Sequence, residues 1–215
     1  MLRIFGLGQV GLVNYTVKQL ENYFPDGVEI RSRILPYVEE AVFRLSKSIN
    51  AVKMWKQDEF NYLHSTQYCM YLYFLSNTIW NNSGDSDICT RIFLLNKALN
   101  GIDCFYEIDM PNVFFIGHSV GVVLAKATYS DYFVIYQNST VGKNHGLAPV
   151  LEKGVVMYPG SAIIGRSLVR ENSVISQGVS VINKDTPGDC YVFDRGDELV
   201  FIDSKRDILS DIFRL

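Results

Sequence analysis

From Leu151 to Val181 every sixth residue is apolar: Leu151, Met157, Ile163, Val169, Ile175 and Val181. Four residues after each of the first five stands a small or β-branched side chain: Val155, Ser161, Ser167, Ser173 and Val179. A helix repeats near 3.6 residues and an ordinary strand alternates at two, so neither accounts for a period of six. A parallel β-helix does: each unit is a short strand and a turn, forming one side of a triangular coil. The apolar column then points into the prism, and the small residue fits the tight corner beside it.

The same period extends upstream. Val123, Tyr129, Ile135 and Val141 stand six apart, with Ala127, Phe133 and Ser139 in the second column. Phe133 is large for that place. From Val141 to Leu151 the step is ten, which predicts about four extra residues at a corner within Gly142-Lys143-Asn144-His145-Gly146-Leu147-Ala148-Pro149. Insertions in solenoids project as loops, often on the binding face.

The 215-residue chain has room for one large or two modest domains. Hydrophobic residues make up 48% and charged residues 20%, a globular balance. A net charge of -3 points away from a nucleic-acid partner. Cys69, Cys89, Cys104 and Cys190 form no CxxC pair, and read as reduced, buried thiols of a cytoplasmic protein rather than a metal site. The apolar run Tyr68 to Leu75 is too short to span a bilayer, and the N-terminus has no signal-peptide h-region.

Ahead of the repeats the pattern is helical. Helices are expected over Pro36 to Ile49 (Val38, Val42, Leu45 and Ile49 inward), over Ser65 to Trp80 (Ser65 or Thr66 as cap), and from Ser86 to Asn100 (Ile88, Ile92, Leu95 and Leu99 inward), with Gly101 as a left-handed stop. Gly6-Leu7-Gly8-Gln9-Val10-Gly11 matches G-x-G-x-x-G, with Tyr15 to Phe24 as a following helix and Asp26 or Glu29 as the acid. A dinucleotide fold needs further strand–helix alternation, which does not follow. Glu198 to Ile202 reads as a last strand, and Ser204 to Leu215 as an amphipathic helix covering the open end of the prism. The expected division is a helical domain over 1–110, a β-helix over 111–193 and a tail over 194–215.

A helical domain followed by hexad coils and a histidine loop resembles the serine acetyltransferase branch of the hexapeptide acyltransferases. The resemblance covers about Pro36 to Val192 and is best from Gly117 onward. His118-Ser119-Val120-Gly121-Val122-Val123 is similar to that family's H-A-T-G-I-V motif, and the segment from Gly154 to Gly165 to the coil along which acetyl-CoA lies. The implied fold class is α+β: N-terminal helices, a left-handed parallel β-helix and a short C-terminal helix. The resemblance also implies acetyl-CoA as co-substrate, no metal, and a homotrimer with sites between neighbouring prisms, trimers pairing through their helical domains.

The implied reaction moves an acetyl group from a thioester to a hydroxyl or amine, and a hydroxyl needs a base within hydrogen-bond reach. His118 matches the family's catalytic histidine. A carboxylate on its other ring nitrogen would fix the tautomer. The family draws it from a D-I-H-P segment, replaced here by Glu107-Ile108-Asp109-Met110-Pro111, so Asp109 and Glu107 are rivals. His145 corresponds to a second, substrate-holding histidine. His64, outside the repeats, reads as a packing residue. The family has Asp directly before the catalytic histidine, contacting an amino-acid acceptor; this chain has Gly117. The smaller residue suggests room for a bulkier acceptor, such as a sugar of surface-polysaccharide synthesis, hydrogen-bonded by Tyr136, Gln137 and Asn138. An oxyanion donor is expected near Gly142 or Gly146. Gly160, Ser161 and Gly178 are candidates for the pantetheine groove, and Arg166 and Lys184 for the phosphates. Three other readings compete: serine acetylation for cysteine synthesis, a zinc enzyme of carbonic anhydrase type, for which the repeats hold only two histidines, and a β-helical scaffold without activity.

Overall fold

The computed structural model describes residues 2–196 and 198–215. The N-terminal part is a helical layer built on α1 (Gly8–Tyr23), α2 (Arg31–Ile34), α3 (Val38–Ala51), α4 (Ser65–Ser83) and α5 (Ser86–Asn100). Helix α4 is its centre, buried on every side from Thr66 to Ile79. Helix α3 turns Val38, Val42, Leu45 and Ile49 inward, as its spacing predicts. Helix α5, which packs on α4, departs from expectation: Leu99 faces out, while Asn96 and Asn100 are buried with Ile88, Ile92 and Leu95. The cap of α5 is Asp85, which accepts from the Ile88 amide at 3.3 Å, rather than Ser86. No side chain caps α4. Gly101 closes α5 in the left-handed conformation, φ 64°.

A two-residue strand, Arg3–Ile4, does precede α1, but its partner is Glu59–Phe60, in a sheet of two. The glycine motif therefore opens no doubly wound sheet. Asp26 pairs with Arg91 and Glu29 with Ser32. A cavity of about 590 Å³ next to Gly8 is lined, among the described residues, by Glu39 and Asp58 against the single cation Arg3, a balance that does not favour a phosphate.

The C-terminal part is a parallel β-solenoid of about five turns with three faces. The first face stacks Phe114–Ile116, Phe133–Ile135, Val156–Met157, Val174–Ile175 and Cys190–Asp194. The second stacks Asp103–Cys104, Val123–Leu124, Thr140–Gly142, Ala162–Ile164 and Ser180–Ile182. The third stacks Thr128–Tyr129, Val150–Leu151 and Leu168–Val169. All six period-setting residues from Leu151 to Val181 are fully buried, and their small companions are buried too. The inner serines satisfy themselves within the prism: Ser139 Oγ donates to the Tyr158 carbonyl at 3.0 Å, and Ser167 Oγ to that of Ile164 at 3.0 Å. The turns make the period possible. At the corner after the first face, Gly121, Asn138, Gly160 and Gly178 all take positive φ, a conformation that glycine and asparagine tolerate.

Register shows where the coil departs from eighteen residues. Ile175 lies 18 residues after Met157, but Met157 lies 22 after Ile135, so the four-residue insertion is real. A second departure lies upstream. Val123 is 42% exposed and Leu124 4%, so Leu124, not Val123, is the inward residue. From Ile116 to Leu124 the step between faces is eight residues, against six from Ile135 to Val141. The extra residues arch out at His118. Phe133 fits within an aromatic cluster at the base of the prism: it pairs with Phe114, packs on Tyr129 at 5.3 Å between ring centres, and Phe114 meets Phe74 and Tyr73 of α4.

The tail does not lie across the open end. There the strand Leu199–Asp203 pairs antiparallel with Cys190–Asp194. The chain then runs back down the corner between the third and first faces: the Ser204 amide donates to the Asp189 carbonyl, Leu209 reaches Gly154, and Phe213 packs on Tyr132. Only Leu209–Ile212 (α6) is helical. Arg214 ends this strap by donating to the carbonyls of Asn50, Val52, Lys53 and Trp55 at 2.6–3.0 Å. All four cysteines are free and buried.

Candidate active site

His118 sits on the arched turn between Ile116 and Leu124, exposed to solvent. The turn is held from both sides. Above it, the Gly117 amide donates to the Ile135 carbonyl at 2.8 Å, and the Asn138 amide to the Val120 carbonyl at 2.9 Å. Below it, Ser119 Oγ donates to the Asn100 carbonyl at 2.7 Å and the Gly121 amide to that of Gly101 at 2.9 Å. Asn100 Nδ2 donates to Asn96 Oδ1 at 2.8 Å, and Asn96 Nδ2 to the Cys69 carbonyl at 3.0 Å. The turn is thus tied to the C-terminal end of α5 and through it to α4. The Cys69 thiol, buried in this network, is pushed up to about 12 by desolvation. Ser119, Asn100 and Asn96 were not among the residues that the sequence pointed to. The signal that marks them is a pair of asparagines at i and i+4 on the inward face of α5, where an apolar stripe is expected.

Tyr136 lies directly over Gly117. A Cβ on Gly117 would fall 2.2 and 2.3 Å from two ring carbons of Tyr136. The ring stacks on Tyr158, centre to centre 5.6 Å with 11° between planes, and meets the edge of Phe115 at 6.2 Å. Burial raises both phenols above their ordinary value. The glycine therefore does not open a space beside His118, as its size suggested; an aromatic wall fills it. Gln137 and Asn138 follow on the same corner, and Asn138 Oδ1 lies where a Cβ on Gly121 would go.

The two rival carboxylates lie elsewhere. Glu107 is half-buried and pairs with Lys126 at 3.2 Å, past Leu124 at the far end of the second face. Asp109 is exposed two residues further on. His145 is on that far corner too. It forms a two-residue turn with Gly146, φ 48° and 79°, closed by Asn144 and Leu147 exchanging hydrogen bonds at 2.9 and 3.0 Å. One side of the prism separates His118 from His145 within the chain, roughly 20 Å for six residues of strand. Lys143, Arg166 and Lys184 are exposed along the same far corner, and Gly142 enters it. Gly160 and Gly178 stack on the His118 corner, where a Cβ on Gly160 would lie 4.0 Å from Gly178 Cα. Ser161 turns its hydroxyl into the prism, 3.5 Å from Ser139, so its side chain does not line a groove. His64 packs edge-on against Trp55 at 5.7 Å, and burial lowers its pKa. Among the described residues no group of three His, Cys, Asp or Glu side chains converges as a metal site, and no helix is long and apolar enough to cross a membrane.

No protein-family model matches the chain. A Schizosaccharomyces pombe protein bearing the name "Putative serine acetyltransferase" is 26% identical over 123 residues, 55% of this chain and 45% of that protein. The chain thus matches just under half the length of that curated relative. Among solved structures, a serine acetyltransferase in complex with CoA superposes with a TM-score of 0.72 at 16% identity, over 89% of this chain and 83% of that one. The serine acetyltransferase of Vibrio cholerae O1 gives 0.64 at 18% identity, over 80% of this chain and 68% of its own. Another structure, in complex with cysteine, gives 0.69 at 14% identity, over 89% and 84%. Helices, solenoid and short C-terminal helix together make the serine acetyltransferase fold.

Proposed function

We propose that this protein is an acetyl-CoA-dependent O-acetyltransferase of the serine acetyltransferase type, with His118 as general base. The observation that carries the reading is the arched turn: the only corner step among the described coils lengthened on the His118 side presents one exposed imidazole and anchors the backbone around it at four points. Acetyl-CoA supplies a thioester already activated for acyl transfer. His118 takes the proton from the acceptor hydroxyl as it attacks, and returns it to the departing thiol. The exposed stack of Gly160 and Gly178 leaves room for an extended chain, and Lys143, Arg166 and Lys184 supply charge for phosphates.

We place the complete site between copies of the chain in a homotrimer. Asp103, on the rung below the arched turn, is paired with Lys97, whereas the far corner carries Glu107, His145 and the cationic column. Packing one corner against the other brings these sets together, with His145 holding the acceptor.

L-Serine is the leading acceptor, supported by the relatives' names. A sugar hydroxyl is the second reading, favoured by the aromatic wall of Tyr136 beside His118, since the apolar face of a pyranose packs well on such a ring. The test is thiol release from acetyl-CoA with L-serine and then with nucleotide sugars. Release that depends on one of these acceptors and falls by about 10²-fold or more in His118→Ala supports the reading. Acceptor-independent release, or a fully active His118→Ala, refutes it.

A further inference from the structure

A histidine base needs a hydrogen-bond acceptor on the ring nitrogen that does not face the substrate, because that bond selects the tautomer and holds the ring. Within the chain neither candidate carboxylate supplies it: Glu107 is engaged by Lys126 at the other end of the second face, and Asp109 lies beyond it. The hydrogen bonds around the turn go to its backbone and to Ser119, not to the imidazole.

One buried polar atom at this corner is unused. Gln137 Oε1 is buried and has no partner among the described residues. Leaving such an acceptor unpaired is costly, so an orphan of this kind calls for a donor. Its position is fixed by the ladder. The Gly117 amide binds the Ile135 carbonyl and the Asn138 amide binds the Val120 carbonyl, so these two bonds enclose His118 and Ser119 opposite Tyr136 and Gln137 on adjacent rungs. Rungs of a parallel sheet are about 4.8 Å apart, within reach of two side chains that turn toward each other. Tyr136, clamped between Gly117 and Tyr158, closes one side of that space.

We infer that Gln137 is a positioning residue: its amide oxygen accepts the ring N–H of His118, setting the tautomer that leaves the other nitrogen free to take the acceptor's proton. An amide oxygen in this role has a chemical parallel in the Cys-His-Asn arrangement of papain-like proteases. The inference rests on His118 being the base, and assigns Gln137 to the protein's own histidine rather than to the acceptor.

The test uses the full chain labelled with ¹⁵N-histidine, the His118 resonances being assigned by their loss in His118→Ala. In Gln137→Glu the acceptor is kept and made anionic, so the His118 pKa should rise by about one unit, and the acid limb of the kcat/KM profile with it. In Gln137→Leu the tautomer preference should be lost and kcat should fall roughly tenfold, with KM for acetyl-CoA within about twofold; Gln137→Glu should retain kcat above the pKa. Unchanged titration in Gln137→Glu overturns the inference. So does a lowered melting temperature with unchanged titration, the result expected if the amide nitrogen faced inward as a donor. The resonance arm reads the same way if no acetyl transfer is found, so a failure of the enzymatic reading and a failure of this inference are distinguishable.

Discussion

The contact between Gly117 and Tyr136 makes a prediction whose sign separates two explanations of the glycine. Gly117 does not have positive φ, so its backbone does not by itself refuse a side chain. At such a position Gly→Ala ordinarily stabilises by about 0.4–1 kcal/mol, through the lower entropy of the unfolded chain. Here the new methyl would lie 2.2 Å from a ring carbon. The ring cannot swing freely, since it is stacked on Tyr158 and edged by Phe115. Overpacking of this kind costs about 1–3 kcal/mol. For a chain of this length each kcal/mol moves the melting temperature by about 2–4 °C. Gly117→Ala should therefore melt roughly 6 °C lower, measured by calorimetry at fixed protein concentration. Tyr136→Ala removes the obstruction, so in that background the same methyl should cost nothing or stabilise slightly, and the cycle should show a coupling of at least about 1 kcal/mol. A Gly117→Ala protein that melts at or above the wild-type temperature refutes the packing argument, and with it the aromatic wall beside His118.

Two further outcomes follow from the ties outside the site. Arg214→Ala removes four bonds to carbonyls at the end of α3, where the helix dipole favours a cation; it should cost about 2 kcal/mol and make the tail protease-sensitive, and unchanged melting and digestion would count against the strap. The Arg33 guanidinium beside Asp85 holds that carboxyl below 3.8. Because the folded pKa is the lower one, the contribution to stability is present above about pH 4 and is lost as pH falls through the folded value. Asp85→Asn keeps the cap and should flatten the acid side of the stability curve; an unaltered slope between pH 4 and pH 2 would show that the pair contributes nothing there.

The sequence by itself determined the solenoid. A six-residue period admits one architecture, because an inward side chain, a small corner residue and a left-handed turn must each recur at every side. It also located the four-residue insertion, since an extra step in a column of buried residues can only be looped out. His145 was legible from its place in the inserted loop, and His118 from the resemblance of the segment His118 to Val123 to a known histidine motif. Tertiary structure alone decided how they are related. The step from Ile116 to Leu124 is eight residues rather than six, and Val123 reads as well as Leu124 in a linear column; pairing with Cys104 and Val141 is what turns Leu124 inward. The asparagines of α5 show in the sequence only as a polar i, i+4 pair on an inward face, and their meaning appears only when the helix end meets the arched turn. Gly117 looked like an opening because a sequence records side-chain size but not what packs against it, and the residue that fills the space stands nineteen positions later on the next rung. The period, a local property of the chain, built the prism. The environment of the imidazole comes from contacts between rungs and between domains, which no local pattern encodes.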